Sequence, residues 1–430
     1  MEFLLKEWEE MWIPELVERD INVSIPKRVR KILTFSGIRR SGKTYMMFQL
    51  IKQLSRQHSK ESIFYVNFED ERIERKKENL TNLVPSLIRL YGNGNKEYFL
   101  FLDEVQVMPE WSKWLRRIHD TYRNINLFVS GSSAKVSSRE IPTELRGRAL
   151  NFETYTLSFK EFLKFKGTQL EKDSEYGERK LSILKNALDE HIKYGGFPEV
   201  VLEDSEINKR KLIQEYYSTI VARDISERNK VKKFELLHDF LRLLLSTNTF
   251  SINRTFNILK SQNKKVGKET LIKYAKYCED AYFCFFIPIF SYKIKNQMKY
   301  QKNVYFADNS FLSMLSLKFS KDLGRLYENI VFIELKRDDK EVFYWRSQQK
   351  EEVDFVVKHD LKVKELIQVC YNIEDYDTKK REIKALLKAS KELKCNNLIV
   401  ITENKKGEET IKNKKIQYIT LLDYLLSDAS

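Results

Sequence analysis

The sequence predicts an α/β protein that begins with a three-layer sandwich, in which a parallel β-sheet is covered by helices on both faces. A glycine-rich loop at 37–44 stands between a short apolar run and a helical pattern, which makes a strand–loop–helix unit. A second apolar run at 98–102 has no polar interruption, as a strand covered on both faces requires. Since the chain has 430 residues, we expect about three compact units at roughly 150 residues each.

The composition is that of a globular protein with cores of its own. Hydrophobic residues make up 42% and charged residues 32% of the chain, which argues against disorder or a fibrous repeat. No run approaches the ~18 consecutive apolar residues of a membrane helix. The acidic N-terminal segment and the spacing of the four cysteines argue against a secretory signal, a disulfide framework and a cysteine metal site. The sequence therefore favours the reducing cytoplasm and predicts no membrane partner.

The excess of basic residues is concentrated in one part of the chain. Lys and Arg (77) exceed Asp and Glu (62), which gives a formal net charge of +15. The stretch 242–299 holds 11 basic and 3 acidic residues, so more than half of the excess lies there. Such a surplus suggests an anionic partner. A lysine-rich surface that only keeps the protein soluble is the alternative.

The glycine-rich loop has the spacing GxxxxGK[ST] and reads GIRRSGKT. Glycines at these positions let backbone N–H groups surround phosphate oxygens, and the N-terminus of the following helix favours anions. In this motif the lysine reaches the β- and γ-phosphates and the threonine hydroxyl contacts Mg²⁺. We therefore expect ATP and Mg²⁺ as cofactors. The expected contacts are Gly37, Arg40, Ser41, Gly42, Lys43 and Thr44 at the nucleotide, with Lys43 also acting in catalysis and Thr44 also at the metal.

Two acids follow the uninterrupted apolar run. Asp103 and Glu104 stand where the predicted third strand ends. Asp103 is expected to orient the metal and Glu104 to polarise the water that attacks the γ-phosphate. An acidic pair in a solvated loop would have the same sequence, and the upstream glycine loop favours the functional interpretation.

Three further residues are candidates for the same site. The strand predicted at 125–129 runs into Ser130 and Ser132, whose hydroxyls suit a sensor of the γ-phosphate. An ordinary serine-rich turn is the alternative. Arg148 precedes the next strand and suits transition-state charge, either in its own chain or in a neighbouring subunit. A structural salt bridge is the alternative for Arg148.

These segments together resemble a known family. GIRRSGKT, YFLFLDEVQ, LFVSGSSA, LRGRA and TLSFKEFL are similar to the AAA+ ATPase domain of a prokaryotic family whose C-terminal region is an uncharacterised domain. The similarity continues through GGFP at 195–198 to GRLYENIVFIEL and YWRSQQKEEVDFVV. The resemblance implies an AAA+ P-loop core at 1–155 that binds ATP or ADP and hydrolyses ATP. A helical lid is expected at 156–240.

Residues 241–300 are predicted to form a winged helix-turn-helix. Two short helical patterns flank the polar turn NKKVGK and precede the strand-like FFIPIF. The second helix would lay its lysines along a phosphate track, and a basic wing would follow. The lysines expected on this face are Lys268, Lys273 and Lys276 on the helix and Lys293, Lys295 and Lys299 on the wing. Residues 251–299 are thus a candidate DNA contact; the alternative is a module that only packs against the ATPase.

The C-terminal part, 301–430, resembles the restriction-endonuclease-like α/β fold. Active members of that fold gather a helical glutamate, a strand aspartate and an acid-x-lysine around a metal, and these positions fall at Glu328, Asp354, Gln368 and Cys370. Gln368 brings no charge to offset a cation, and Cys370 lacks the charge and reach of the lysine. We therefore expect a catalytically degenerate scaffold that binds a protein or nucleic-acid partner.

The sequence as a whole predicts an enzyme, a Mg²⁺-dependent ATPase that couples nucleotide state to DNA or partner binding through its basic module. Two rivals stay open. One is a slow regulatory switch or scaffold that binds proteins, and the other is an ATP-gated nuclease. The sequence leaves the oligomeric state and the physiological partner open.

Overall fold

The computed structural model describes residues 1–11, 13–20, 23, 25–26, 28–92, 96–132, 143–170, 177–315, 322–360 and 362–427. The chain divides into two compact units. Unit 1 consists of Met1–Thr154 together with Asp280–Tyr282, and unit 2 consists of Tyr155–Glu279 and Phe283–Ser430.

Unit 1 is built on a five-stranded parallel sheet. Its strands are β1 (Ile32–Ser36), β2 (Ile63–Asn67), β3 (Tyr98–Asp103), β4 (Ile125–Gly131) and β5 (Ala149–Glu153). They lie in the order β2-β3-β4-β1-β5, and every neighbouring pair is parallel. The helices are α1 (Glu2–Glu10), α2 (Lys43–Leu54), α3 (Lys77–Tyr91) and α4 (Trp111–Thr121). The α/β prediction with a parallel sheet is confirmed.

The core of unit 1 follows from the apolar strands. All five residues of β1 and all six of β3 are buried, because a central parallel strand is covered by helices on both faces. Phe101 on β3 and Phe128 on β4 stack with ring centroids 4.3 Å apart. The register pairs Ser36 with Gly131 and Asn67 with Asp103. The carboxyl ends of β1, β2, β3 and β4 therefore lie along one edge of the sheet.

The first part of unit 2 is helical. It contains α5 (Phe159–Phe165), α6 (Glu178–Tyr194), α7 (Pro198–Leu202) and α8 (Glu206–Thr219), and α8 continues into a π-helical segment, Ile220–Glu227. Ser158 and Glu161 form a reciprocal capping box that fixes the start of α5.

A small helical module with a three-stranded sheet follows. Its elements are α9 (Phe234–Leu245), β6 (Thr249–Phe250), α10 (Ile252–Ser261), α11 (Lys268–Asp280), β7 (Cys284–Ile287), α12 (Ile294–Lys299) and β8 (Lys302–Phe306). The sheet is antiparallel with β8 in the middle. The boundary predicted at 240/241 falls inside α9, and the boundary at 300/301 falls before the strand that completes this sheet.

The last part of unit 2 is a six-stranded mixed sheet with helices. The elements are α13 (Asn309–Leu315), α14 (Leu323–Arg337), β9 (Glu341–Arg346), β10 (Glu352–His359), β11 (Lys362–Cys370), α15 (Tyr376–Leu393), β12 (Leu398–Thr402), β13 (Gly407–Ile411), β14 (Lys414–Thr420) and α16 (Leu421–Leu426). The strand order is β13-β14-β12-β11-β10-β9, and β11, β12 and β14 run parallel. Apolar residues of α15 pack on this sheet.

The Gly-Gly-Phe-Pro segment between α6 and α7 encloses a buried carboxylate. Gly195 has φ 74°, and a Cβ on it would lie 1.7 Å from Oδ1 of Asp308. The backbone N–H of Gly196 donates a hydrogen bond of 2.8 Å to Oδ2 of the same side chain. Burial raises the pKa of Asp308. The double glycine is therefore needed because the backbone must pass directly over this carboxyl group, which fits a tight connection between helices.

Candidate functional site

The glycine-rich loop connects β1 to α2 at the carboxyl edge of the unit 1 sheet. Gly37 has φ 147°, and a Cβ at this position would lie 2.1 Å from the carbonyl oxygen of Thr154. Gly42 has φ 94° and precedes α2, whose first turn receives no side-chain cap. Arg40 also has a positive φ of 68°, which is uncommon for a residue with a side chain. The loop conformation thus depends on its two glycines.

Lys43 is the first residue of α2, and its side chain folds back onto the glycine-rich loop. Its side chain is buried, and Nζ donates to the carbonyl oxygens of Gly37 at 3.2 Å and Ile38 at 3.0 Å. Ser41 is buried as well, and its Oγ has no hydrogen-bond partner among the residues that the structure describes. A buried hydroxyl without a partner is costly. The loop therefore holds a cation and an unused hydroxyl at the place where the sequence predicts phosphate.

Asp103 is the centre of a hydrogen-bond cluster at the end of β3. Its Oδ2 accepts from the Thr44 hydroxyl at 2.7 Å and from the Tyr65 hydroxyl at 2.8 Å, and its Oδ1 accepts from the Ser130 hydroxyl. Burial raises the pKa of the Tyr65 phenol, and the charge of Asp103 raises it further. Tyr65 therefore stays protonated and donates to the carboxylate, which is held in one orientation from three sides.

Glu104 follows Asp103 in the left-handed backbone region, with φ 52°. Its carboxylate accepts from the amide of Gln106 and from the hydroxyl and N–H of Ser132, at 3.3 and 3.4 Å. Burial raises the pKa of Glu104, against the opposing charge of Lys43, and the nearby Asp103 raises it further. The strained backbone turns the side chain away from the path of the strand. The structure thus brings Glu104 and Ser132 together, and it places Ser130 between Asp103 and the N–H of Glu104.

Arg148 is not brought to this cluster. It immediately precedes β5, and its carbonyl oxygen accepts from the N–H of Ile32 at the start of β1. Because both strands run parallel, Arg148 lies at the edge opposite to the glycine loop, about five residues or ~16 Å of strand away. Its guanidinium binds Asp120 through Nε at 2.9 Å and Nη2 at 3.0 Å. The structure therefore does not bring Arg148 to the glycine loop of its own chain, and its role in transition-state stabilisation stays a prediction.

Sequence reasoning missed four residues that contact this site. Tyr65 and Gln106 bind Asp103 and Glu104, as described above. The buried Arg19 donates from Nη1 to the carbonyl oxygen of Ser41 at 2.7 Å. The Tyr282 hydroxyl lies 2.9 Å from the Oγ of Ser36, the residue before the glycine loop. A hydroxyl-bearing residue within the buried run of β2 could have signalled Tyr65, whereas no local pattern marks Arg19 or Tyr282.

The residues present fit a nucleotide with a magnesium ion. The glycine loop leaves room for no Cβ at Gly37. Within the described ranges, the first turn of α2 has no side-chain cap and the Oγ of Ser41 has no partner. Thr44 and Asp103 offer the oxygen ligands that Mg²⁺ prefers. In the part of the chain that the structure describes, no three His, Cys, Asp or Glu residues are grouped to hold a metal by themselves. A cation at Asp103 would therefore take the rest of its ligands from phosphate and water.

The C-terminal positions that correspond to a nuclease site belong to no group of three potential metal ligands in the described part of the chain. Glu328 accepts from the Tyr305 hydroxyl, Asp354 accepts from the N–H of Val369 at 2.8 Å, and Gln368 donates to Glu382 at 2.7 Å. Burial raises the pKa of Glu328 to about 7 and raises that of Asp354 well above its usual range. Cys370 is buried. Both carboxylates thus accept hydrogen bonds from groups of the C-terminal domain itself or of the strand before it.

The lysines predicted to face DNA lie on the exposed side of α11 and on α12. Leu271, Tyr274, Ala275 and Cys278 bury one face of α11, so Lys273 and Lys276 lie on the opposite, exposed face. Lys268 at the start of α11 is placed over the ring of Phe256, with Nζ 5.5 Å from the centroid. No residue of α12 is buried.

Comparison with known proteins identifies the family. Residues 29–163 match the AAA domain family, residues 185–322 match a domain of unknown function (DUF8612), and residues 323–424 match another (DUF4143). The chain is 39% identical over 406 residues to the uncharacterized protein MJ1544 of Methanocaldococcus jannaschii, covering 92% of this chain and 87% of that protein. The chain belongs to the MJ1544 family.

This member of the MJ1544 family is also similar to other proteins. An uncharacterized protein of Haemophilus influenzae is 29% identical over 333 residues, covering 76% of this chain and 79% of the relative. Among solved structures, the Walker-type ATPase PABY2304 of Pyrococcus abyssi aligns with 66% of this chain and 91% of its own, at 11% identity and a TM-score of 0.45.

The AAA match supports the predicted P-loop ATPase family, since it spans the glycine loop and the Asp103 cluster. Residues 323–424 match a domain of unknown function, so the resemblance of 301–430 to the restriction-endonuclease-like fold stays a prediction. No helix in the described ranges is both long enough and apolar enough to cross a bilayer.

Proposed function

We propose that this protein binds ATP with Mg²⁺ and hydrolyses it at the carboxyl edge of the unit 1 sheet. The observation that carries the proposal is the hydrogen bond between Thr44 and Asp103, 2.7 Å long. It places a helix-start hydroxyl and a strand-end carboxylate beside a glycine loop, which is the arrangement that P-loop enzymes use around phosphate and metal. Magnesium would supply charge neutralisation at the phosphates.

The residues of the chain then have distinct roles. Lys43 exchanges its two loop carbonyl oxygens for the β- and γ-phosphates. Thr44 and Asp103 hold the metal, and Tyr65 and Ser130 keep the Asp103 carboxylate oriented. Glu104, when ionised, accepts a proton from the attacking water, and its pKa, raised by burial, makes it a stronger base than an exposed glutamate. Ser132 is the candidate that senses the γ-phosphate, because it already binds the Glu104 carboxylate.

The proposal extends to DNA through the module at 234–306. Its helices followed by a small sheet with β8 between β6 and β7 support the interpretation as a winged helix-turn-helix, in which α11 would be the recognition helix. Exposed Lys273 and Lys276 on α11 support phosphate contacts. We propose that nucleotide state and DNA binding influence each other in this protein.

Steady-state ATP turnover tests the proposal, measured with and without a panel of single-stranded, duplex and branched DNA. We expect Mg²⁺-dependent turnover that DNA stimulates. Turnover that no DNA changes would leave the ATPase in place and would remove the coupling to DNA.

A slow nucleotide-dependent switch is the second candidate, favoured by one observation. The Glu104 carboxylate is engaged by both Gln106 and Ser132, so it is not directed at a water molecule until these contacts open. A switch would bind nucleotide tightly and release phosphate at less than about one turnover per minute, which is well below the usual range of enzymes. Single-turnover and steady-state measurements on the same preparation distinguish the two.

A further inference from the structure

The segment between β7 and β8 ends in an exposed tip that is both apolar and basic. Within this tip, residues 291–300, the side chains of Tyr292, Ile294, Met298 and Tyr300 are 76, 72, 81 and 51% exposed. Large apolar side chains exposed together on a short segment mark an interaction site rather than a solvated loop.

The base of the tip is attached to β9 by a β-bridge, a backbone hydrogen bond and ring packing, which hold the tip in place. Ile289 forms a β-bridge with Tyr344 on β9, and the N–H of Phe290 donates to the carbonyl oxygen of Tyr344 at 2.6 Å. The rings of Phe290 and Phe343 pack edge to face with centroids 5.5 Å apart. Inside the tip, the Gln297 amide donates to the carbonyl oxygen of Ser291 at 2.8 Å.

The charge of the tip indicates what it binds. Residues 291–300 contain three lysines and no acid, which favours a polyanion. An intact duplex would satisfy the lysines through its phosphates and leave the aromatic and aliphatic side chains exposed to water. Unpaired or unstacked bases provide flat apolar faces as well as phosphates, and aromatic side chains stack on them.

We propose that the tip binds nucleic acid whose bases are unstacked, that is, single-stranded DNA or the single-stranded part of a fork. Tyr292 and Tyr300 stack on bases, Ile294 and Met298 contact them, and Lys293, Lys295 and Lys299 bind the phosphates. This inference rests on the DNA binding proposed above and specifies its substrate class.

Fluorescence anisotropy tests whether the tip binds unstacked bases. The affinity of the full chain is measured for labelled oligo(dT), for a blunt duplex of equal length and for a fork. We expect wild type to bind oligo(dT) and the fork more tightly than the duplex. The double variant Tyr292→Ala/Tyr300→Ala should bind oligo(dT) at least about 10-fold more weakly, with duplex binding changed less than about 2-fold. Tyr376→Ala is the matched control, since Tyr376 on α15 is 73% exposed.

The possible results separate this inference from the proposal on which it depends. Unchanged oligo(dT) binding in the double variant, with duplex and oligo(dT) bound equally by wild type, overturns the inference and leaves DNA binding intact. Absence of binding to every DNA overturns both. Binding of wild type to phosphatidylserine vesicles, lost in the double variant while DNA binding is unaffected, would assign the tip to a lipid surface instead.

Discussion

The hydroxyl of Thr44 donates a hydrogen bond of 2.7 Å to Oδ2 of Asp103, across 59 residues of sequence. Thr44 stands near the start of α2 and Asp103 at the end of the buried strand β3. They meet because the strands of unit 1 are parallel, which puts the loop after β1 and the end of β3 at the same edge of the sheet. The same oxygen of Asp103 accepts from Tyr65. This three-residue cluster defines where a metal with its triphosphate would lie.

Tyr65 should tune the metal affinity of this cluster. Tyr65→Phe keeps the buried ring and removes the donor to Asp103, which leaves the carboxylate less firmly oriented. Because hydrogen bonds to charged groups contribute about 1.5–3 kcal/mol, we expect the Mg²⁺ concentration for half-maximal ATP turnover to rise about tenfold. Tyr98→Phe is the control, because that hydroxyl donates to the carbonyl oxygen of Tyr91 instead. Equal Mg²⁺ dependence in both variants would contradict the role of Tyr65.

The pH dependence of turnover should follow Glu104. The general base must be ionised, and burial raises the pKa of this carboxyl. Turnover should therefore fall as the pH decreases through the Glu104 pKa, and this fall should begin at a higher pH than an exposed glutamate would give. Nucleotide binding over the same range should change little. A kcat profile that stays flat down to pH 5 would argue against Glu104 as the base.

The face of α11 should contribute salt-dependent affinity for DNA. Lys273→Glu/Lys276→Glu removes two candidate phosphate contacts, so the slope of log K against log salt should decrease in magnitude by about two. Affinity at low salt should fall at least tenfold. Lys391→Glu on α15 carries the same change of charge per residue at an exposed position and should have little effect. Equal losses in both would indicate only a general effect of net charge.

The C-terminal domain should be more stable when its buried acids are protonated. The pKa of Glu328 in the folded protein is raised to about 7, above the value of an exposed glutamate. Protonated Glu328 therefore contributes to the free energy of unfolding at low pH. This contribution, up to about 3 kcal/mol, is lost as the pH rises through about 7. Glu328→Gln, which can still accept from Tyr305, should show less of this loss between pH 5 and 8.

Urea unfolding at several pH values measures this effect, with the exposed Glu392→Gln as the control. Identical pH dependence in wild type and Glu328→Gln would show that another group is responsible.

The protein should not cleave DNA in Mg²⁺ or Mn²⁺, because Gln368 and Cys370 occupy the positions of an acid and a lysine. Cleavage that is lost in Asp354→Ala would contradict that expectation.

The local patterns predicted the strands and the phosphate loop because each rests on neighbouring residues. The glycines, Lys43 and Thr44 lie within eight positions, and the apolar run before Asp103 is characteristic of a buried parallel strand. The spacing could not predict how Glu104 is held, because its partners depend on a backbone with positive φ. Gln106 could not be predicted as a site residue either, because its contact with Glu104 depends on the same backbone.

Contacts between distant segments could not be read from the sequence. Arg19 and Ser41 are 22 residues apart, and Tyr282 and Ser36 are 246 apart, so no periodicity or motif connects them. Tyr282 adopts φ 55°, an unfavourable backbone for a bulky residue that only its packed surroundings can hold. The contact between Arg148 and Asp120 likewise joins segments that are 28 residues apart.

Nucleotide binding and turnover measured side by side in wild type, Lys43→Ala and Glu104→Gln test the central claim most directly, with Lys52→Ala on the same helix as the control. We predict that Lys43→Ala loses ATP binding, that Glu104→Gln binds ATP as wild type does but hydrolyses it at least about 100-fold more slowly, and that Lys52→Ala resembles wild type. ATP binding by Lys43→Ala at the level of wild type, or hydrolysis by Glu104→Gln at the rate of wild type, would contradict the claim that ATP is bound and hydrolysed at this site.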